Sequence, residues 1–318
     1  MYKSVFSLSL LATSVNLYAQ NMESPSNKAS DVERVLVTAD FRQTTLDQLS
    51  ASATILGDER LRSRQPSHID SVLNSIPNIN FAAGASRGRF IQIRGIGERS
   101  QFAEPINPSV SFIVDEFDFS GLAAAGIVFD TKQLEVYRGP QATLYGTGAL
   151  AGAVKMTSND VGDASPSYVD ARIGNKQSYR VEAATGNDIN ADWGYRIAVV
   201  HNRSNGFVEN TFLDRDDTSQ INESALRFAL DGSLSESTSL ALTYRWYDID
   251  NGYDAFSLDN DNKTLSDEPG FDEHQTHAVS ARSTTTTKAG DFIVIATHAS
   301  HNIAYGYDED WTYDGFHP

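Results

Sequence analysis

Serine between glycines is the first pattern in this chain that could do covalent chemistry. Gly84-Ala85-Ser86-Arg87-Gly88 fits G-x-S-x-G, the strand-to-helix elbow that lifts a nucleophilic hydroxyl in hydrolases. The residues that follow alternate as a strand, Phe90 to Ile93, so no helix carries the serine. A second pattern, Gly146 to Gly152, superficially suits a dinucleotide phosphate, but such a loop needs a buried strand before it and a substantial helix after it. Arg138-Gly139-Pro140 precedes it instead, and no Gly-Lys-Ser or Gly-Lys-Thr is present for a phosphate-cradling loop. His274 with His277, and His298 with His301, are spaced by three; on strands that spacing puts each pair on opposite faces, which is poor for a metal. Nine acids lie between 248 and 273 (Asp248, Asp250, Asp254, Asp259, Asp261, Asp267, Glu268, Asp272, Glu273), without the spacing of a calcium loop. The sequence therefore assigns no catalytic residue, no metal ligand and no cofactor, and predicts that the protein is not an enzyme.

Composition narrows the classes further. The chain has 318 residues and a formal charge of −17, opposite to the basic footprint of nucleic-acid binders. It has no cysteine, which excludes a disulfide scaffold and thiolate metal sites. Residues 1–20 read as a secretory signal: Lys3 gives a weakly positive start, Val5 to Leu17 is mostly apolar, and Ala19 can precede the cut. No other run approaches the ~20 apolar residues of a spanning helix, so any membrane span must be built from strands.

The elements that would position side chains are clearest from Leu134 to Thr157. Leu134 to Tyr137 alternates as a strand. Arg138-Gly139-Pro140 breaks it, Gln141 to Tyr145 forms about one helical turn, and Gly146 stops that turn. Gly148 and Gly152 permit close backbone approach before Ala153 to Met156 returns as a strand. Upstream, Asp58 can cap a turn through Arg64, and Ser67 can cap a helix through Ile76 ended by Pro77. Phe90 to Gly95 and Val110 to Val114 read as strands. Residues 20–30 form a polar arm, followed by Val32 to Ala39, a β-branched segment in polar surroundings suited to pairing with a partner's sheet edge.

In the order and spacing in which they stand, RGPQ (138–141), TLYG (143–146) and AVKMT (153–157) resemble the end of the plug domain of TonB-dependent outer-membrane receptors. IPN (76–78), IRG (93–95) and FIVD (112–115) are similar to the family pattern as well, so the resemblance covers about residues 32–160. Ala142 and Ala151 depart from it, since the family usually has glycine at both; the change matters only where the backbone needs φ > 0. The resemblance implies plug-motif roles for Gly95, Glu135, Gly139, Pro140, Gln141, Leu144, Tyr145, Gly146 and Gly152. It implies that Glu33, Arg34, Val35, Leu36, Val37, Thr38 and Ala39 act as the TonB box, gripped by the inner-membrane energy-coupling protein. Arg94 and Arg138 are implied contacts from plug to barrel, paired with wall carboxylates, and Ser86, Arg87 and Arg89 a loop pointing up toward ligand. Partners implied are TonB, outer-membrane lipids and a small-molecule ligand such as a metal chelate; nucleic acid is not among them.

From Ser167 onward the chain repeats strands, near 168–174, 178–186, 193–204, 222–232, 238–249, 274–285 and 291–304. Leu226, Phe228 and Leu230 alternate with Arg227, Ala229 and Asp231; Leu240, Leu242, Tyr244 and Trp246 alternate with Thr243, Arg245 and Tyr247. One apolar and one polar face suit a barrel wall between lipid and a wet lumen, although a sandwich gives the same alternation. Short links after the second, fourth and sixth strands and long polar ones after the third and fifth match periplasmic turns and extracellular loops, placing 205–221 and 250–273 outside the cell. The expected organisation is a signal peptide at 1–20, a flexible arm with the TonB-box-like segment at 21–40, an α+β plug at 41–160, and the first antiparallel barrel strands at 161–318. About seven strands make an incomplete barrel, as bacterial single-chain barrels have an even number and plugged transporters about 22. The expected protein is thus the N-terminal part of a longer exported receptor in the Gram-negative outer membrane, taking up a scarce nutrient such as an iron chelate. The alternatives are a non-functional truncated receptor and a passive channel or adhesin.

Overall fold

The computed structural model describes residues 14–18, 36–37, 44–45, 51–83, 85–99, 108–162 and 165–316. In chain order, Ser14–Tyr18 (β1) lies antiparallel to Tyr168–Ile173, and Leu36–Val37 (β2) pairs with Thr44–Thr45 (β3). Ser52–Gly57 (β4) leads into helix Asp58–Arg64 (α1), then helix Ile69–Leu73 (α2). Ile79–Ala82 (β5) and Phe90–Ile93 (β6) form a hairpin, followed by Val110–Val114 (β7), Phe117–Asp118 (β8) and Thr131–Arg138 (β9). Ala142–Tyr145 (α3) is the one-turn helix before Gly152–Ser158 (β10).

Strands β4, β9, β10, β7 and β8 make one five-stranded sheet in that order, with β10 parallel to β7 and the other pairs antiparallel. Strand β7 reads Val-Ser-Phe-Ile-Val and is buried along its whole length, as a strand covered on both faces must be. Helix α2 presents Ile69, Val72 and Leu73 to that core. Its N-cap is His68, whose Nδ1 accepts from Asp70 N, rather than the expected Ser67. Ser67 instead gives its carbonyl to Val128 N. Helix α1 starts after Gly57, and Asp58 pairs with Arg62 one turn on instead of capping.

The second sheet is an antiparallel meander. Tyr168–Ile173 (β11), Tyr179–Asp188 (β12), Trp193–Ser204 (β13), Ile221–Ser235 (β15), Thr238–Tyr253 (β16), Gly270–Thr287 (β18) and Gly290–Gly306 (β19) pair in sequence, each with the next, and β1 lies outside β11. Glu209–Asn210 (β14) and Lys263–Thr264 (β17) pair in parallel within the two long loops. All seven expected wall strands are present. Asp248 lies on β16 as the expected strand 238–249 requires, and two strands run farther into the loops than expected: Asp250 also lies on β16, and Asp272 and Glu273 on β18. The loop between them is therefore 254–269 and carries five of the nine acids.

Alternation along the wall separates two environments. The face toward the N-terminal unit carries small Ala184, Ala198, Ala225 and Ala278, which join its apolar core. The opposite face exposes Val169, Val181, Val199, Phe228, Val279 and Val294. Among the described residues no helix is long and apolar enough to cross a membrane.

Candidate functional site

The chemistry of this chain is concentrated where the N-terminal unit meets the wall. At mid-height two carboxylates leave the unit from turns: Asp115, after β7, and Asp130, before β9, both with φ near +50° (51° and 46°), a region in which Asp is better tolerated than most side chains. Three wall arginines receive them. Arg196 forks onto Asp130 with Nε 2.8 Å from Oδ2 and Nη2 2.6 Å from Oδ1. Arg245 Nη2 lies 2.5 Å from Asp115 Oδ2, and Arg227 stands between, 3.4 Å from Asp130 and 3.7 Å from Asp115. Backbone and side-chain donors complete the carboxylates: Ser158 N donates to Asp115 at 2.8 Å and Asn159 Nδ2 to Asp130 at 2.8 Å. Burial alone would raise the Asp115 pKa, but the guanidinium groups of Arg245 and Arg227 outweigh it and hold the carboxyl well below its ordinary range. Nearby, Arg282 donates to Glu116 at 2.9 Å.

Toward the end of the wall that bears the long loops, the tip of the β5–β6 hairpin is pinned to the sheet. Ser86 donates through N (2.9 Å) and Oγ (2.6 Å) to Asp272 Oδ2. Arg87 makes a two-bond fork with Glu223, 2.6 and 2.7 Å, and Asn251 Nδ2 donates to both Ser86 Oγ and Glu223. Burial lowers the Arg87 pKa, yet Glu223 overrides this and raises it. Arg87 also acts on Asp70, whose burial is outweighed by His68 and then Arg87, bringing its pKa down to about 2. Arg89 donates to Gly121 O and lies over the ring of Tyr305, 5.4 Å from its centroid.

The residues named from sequence divide into three groups. Ser86, Arg87 and Arg89 are brought together against the wall, held by it rather than standing free. The serine hydroxyl serves a carboxylate at the tip of an antiparallel hairpin, and no helix follows, so the elbow geometry is missing. Arg94 and Arg138 lie near one another away from the wall carboxylates. Arg138 bonds Thr54 Oγ1 at 2.7 Å and Pro77 O at 3.2 Å, while burial and the neighbouring Arg94 charge lower its pKa. Arg94 is exposed in a left-handed turn, its N–H given to Asn78 O, with Gly95 next at φ 81°.

The third group is the 134–157 unit. Gly139 N and Gln141 N donate to Ala151 O and Ala149 O, which holds the Pro140 corner against the returning strand. Gly146 caps α3, in which Leu144 and Tyr145 sit, and buried Glu135 accepts from Tyr137 and Gln133. A Cβ on Gly152 would stand 2.1 Å from Tyr137 O, so only glycine fits. Neither Ala142 nor Ala151 is at positive φ, which explains why alanine is accepted there. Of the 33–39 segment only Leu36–Val37 is described, as β2; Glu33, Arg34, Val35, Thr38 and Ala39 lie outside the described residues.

Sequence reasoning missed Asp115, Asp130, Glu223 and Asp272 as partners. The alternation put Arg227 and Arg245 on the polar face; what it lacked was any sign of which carboxylate they would meet. His274 is buried and His277 exposed, on opposite faces as their spacing requires. Among the described residues no group of three or more His, Asp and Glu is placed to hold a metal ion.

Comparisons with known proteins agree with this geometry. A family model described as the TonB-dependent receptor plug domain matches residues 45–153. The vitamin B12 transporter BtuB of Vibrio vulnificus (strain CMCP6) is 26% identical over 271 residues, covering 80% of this chain and 41% of its own. The ferric-pyoverdine M114 receptor PbuA of Pseudomonas sp. (strain M114) is 24% identical over 65% of this chain and 24% of its own. Among solved structures, the ferric yersiniabactin uptake receptor FyuA of Yersinia pestis superposes with a TM-score of 0.69 at 18% identity, over 81% of this chain and 42% of that one. The chain thus spans about two fifths of the length of BtuB and FyuA. The plug match falls inside the five-stranded unit and the meander aligns with receptor barrels, so residues 45–153 match the plug domain of TonB-dependent receptors and the chain has the fold of such a plug followed by antiparallel barrel strands.

Proposed function

We propose that this chain is the N-terminal part of an outer-membrane receptor that takes up a scarce nutrient, an iron chelate or a comparable small complex, by energy-coupled transport. The observation that carries this reading is the plug docked by buried ion pairs on one face of a wall whose other face is apolar. A plug held by Asp115, Asp130 and Arg87 closes the wall's inner side, so passage requires that those contacts be remodelled rather than that a covalent step occur. The exposed apolar face suits lipid, and the long loops then stand on the outer side with the hairpin tip beneath them. In this reading the 33–39 segment pairs with the edge of a TonB sheet by β-augmentation. Ligand bound outside and TonB bound inside are coupled sites, each altering the other's affinity by the same factor.

The test is accumulation of radiolabelled iron chelates and corrinoids in cells carrying the complete receptor, with and without residues 33–39 and with and without a proton-motive force. Uptake of one of these compounds that is lost with either is the expected result. Uptake that survives both losses means a passive channel, and no uptake by the intact receptor removes the transport reading.

A further inference from the structure

The wall beneath the hairpin tip is an acceptor site that the chain fills with its own side chains. Glu223 and Asp272 are each 1% exposed, and carboxylates so buried require donors. Arg87 supplies Glu223 with a full guanidinium fork, and Ser86 supplies Asp272 with an N–H and an O–H. Two amides complete the frame: Asn251 bridges Ser86 and Glu223, and Asn202 Nδ2 donates to Glu223 at 3.1 Å. His274, 2% exposed, engages Asp272 Oδ1 through Nε2 at 2.8 Å, while its Nδ1 is buried without a hydrogen-bond partner. With the proton on Nε2, that Nδ1 is an open acceptor on the ring that holds Asp272.

The tip is built to lift. Arg89 N donates to Ala82 O and closes the loop at its base, so Ala85 to Gly88 can leave the wall without breaking the β5–β6 ladder. The loops at this end, 205–220, 254–269 and 307–316, hold 13 Asp and Glu against two Arg and Lys. A field of that sign gathers cations and repels anions.

We infer that Glu223, Asn251, Asp272 and His274 form a receiving site for a guanidinium or ammonium group of the ligand. Ser86 and Arg87 occupy it as an internal stand-in until the ligand displaces them. The inference rests on the uptake reading, in which this end faces the incoming ligand. It adds the chemical class: a complex carrying a cationic, donor-rich group, recognised by the same planar fork that Arg87 now satisfies.

The probe is n-butylguanidinium, with neutral n-butylurea as its matched control, titrated calorimetrically into the purified full-length receptor folded in detergent micelles. Saturable binding of the cation alone is expected. Arg87→Ala, which vacates the fork, should bind it at least tenfold more tightly, and the further change Glu223→Gln should abolish that gain. Subtilisin cleavage within residues 85–88 of the unaltered protein should accelerate with the cation and not with the urea. Where Arg87→Ala does not fold, Ser86→Ala loosens the tip while keeping the fork and should also tighten cation binding. No cation binding by the unaltered protein, equal binding of the urea, or unchanged cleavage overturns the inference. The probe does not depend on energy coupling, so loss of uptake on deleting 33–39 with probe binding intact supports both readings. Probe binding in a receptor whose uptake needs no 33–39 segment overturns the coupling reading alone.

Discussion

Arg227 and Arg245 stand directly opposite each other on neighbouring wall strands, and both turn to the carboxylate of Asp115, at 3.7 and 2.5 Å. Like charges in directly opposed positions repel, so the isolated wall carries an electrostatic defect. The plug corrects it: Asp115 lies between the two guanidinium groups, and Asp130 takes the free side of Arg227. Docking of the plug and closure of these strands are therefore coupled events, and the polarity is plug carboxylate to wall arginine. The same relation explains why small alanines alternate with the arginines, since a bulky neighbour would hold the plug turns out of reach.

Asp115→Asn should destabilise the folded protein by about 3–5 kcal/mol, the usual consequence of leaving a buried partner charge uncompensated. The double change Asp115→Asn with Arg245→Met should recover most of that loss, because removing both members of a buried pair is often close to neutral. Denaturant unfolding of the purified protein in micelles measures both. Equal losses in the single and double variants would show that Arg245 is not the partner that matters.

Acid should act on the plug's carboxylates, Asp115 at the wall and Asp70 within the plug. Asp115 and Asp70 are held below the ordinary carboxylate range, Asp70 at about 2, so the folded form binds their protons less readily than the unfolded chain, where Asp titrates near ~3.9. Their contribution is thus fully present above about pH 4 and lost as pH falls toward 2. Unfolding midpoints followed from about pH 7 downward should show no loss from these two groups before about pH 4. Asp70→Asn should flatten part of the fall below it, and an unchanged acid slope in that variant would count against the His68 and Arg87 contacts.

The plug and all seven wall strands were legible because both announce themselves locally. Glycine and proline fix the 138–152 corner, and alternation with period two marks each strand. What local pattern does not carry is the partner. Residues such as Asp130 and Arg196, or Ser86 and Asp272, meet only because the meander places them together, and alternation gives a face without a neighbour. Ends were displaced for a related reason. Asp250 and Glu273 look like loop residues, but they pair with each other where β16 and β18 run on past the apolar stretch toward the long loops. His68 was passed over as a cap because Ser67 precedes it and serine is the commoner cap; the ring won since it also fills the space against Gly126.

Arg138 should prove a local fastener. Its guanidinium holds Thr54 Oγ1 and Pro77 O within the plug, so Arg138→Ala removes hydrogen bonds worth roughly 1 kcal/mol each. Thermal unfolding should register a loss of about 2 kcal/mol for the two bonds together. A charge reversal at any described wall carboxylate should leave the Arg138→Ala loss unchanged, and coupling to one of them would reveal a contact with the wall.

Glycine at 152 and alanine at 151 make the sharpest paired test of the turn. Gly152 has φ 155° and no room for a Cβ, which would stand 2.1 Å from Tyr137 O and 2.7 Å from Ile93 Cδ1. Gly152→Ala must therefore push β9 and β10 apart at the point where Gly152 pairs with Arg138, adding a backbone penalty of order 1–3 kcal/mol to the clash. Ala151 is 5% exposed, with its N–H given to Ser109 O and no positive φ. Ala151→Gly keeps that bond and loses only a methyl and some chain stiffness, a change of about 1 kcal/mol. Unfolding of the two variants side by side should show the first loss to be at least twice the second. Comparable losses would mean that the corner at Gly152 can relax, and that its glycine is a matter of entropy rather than of space.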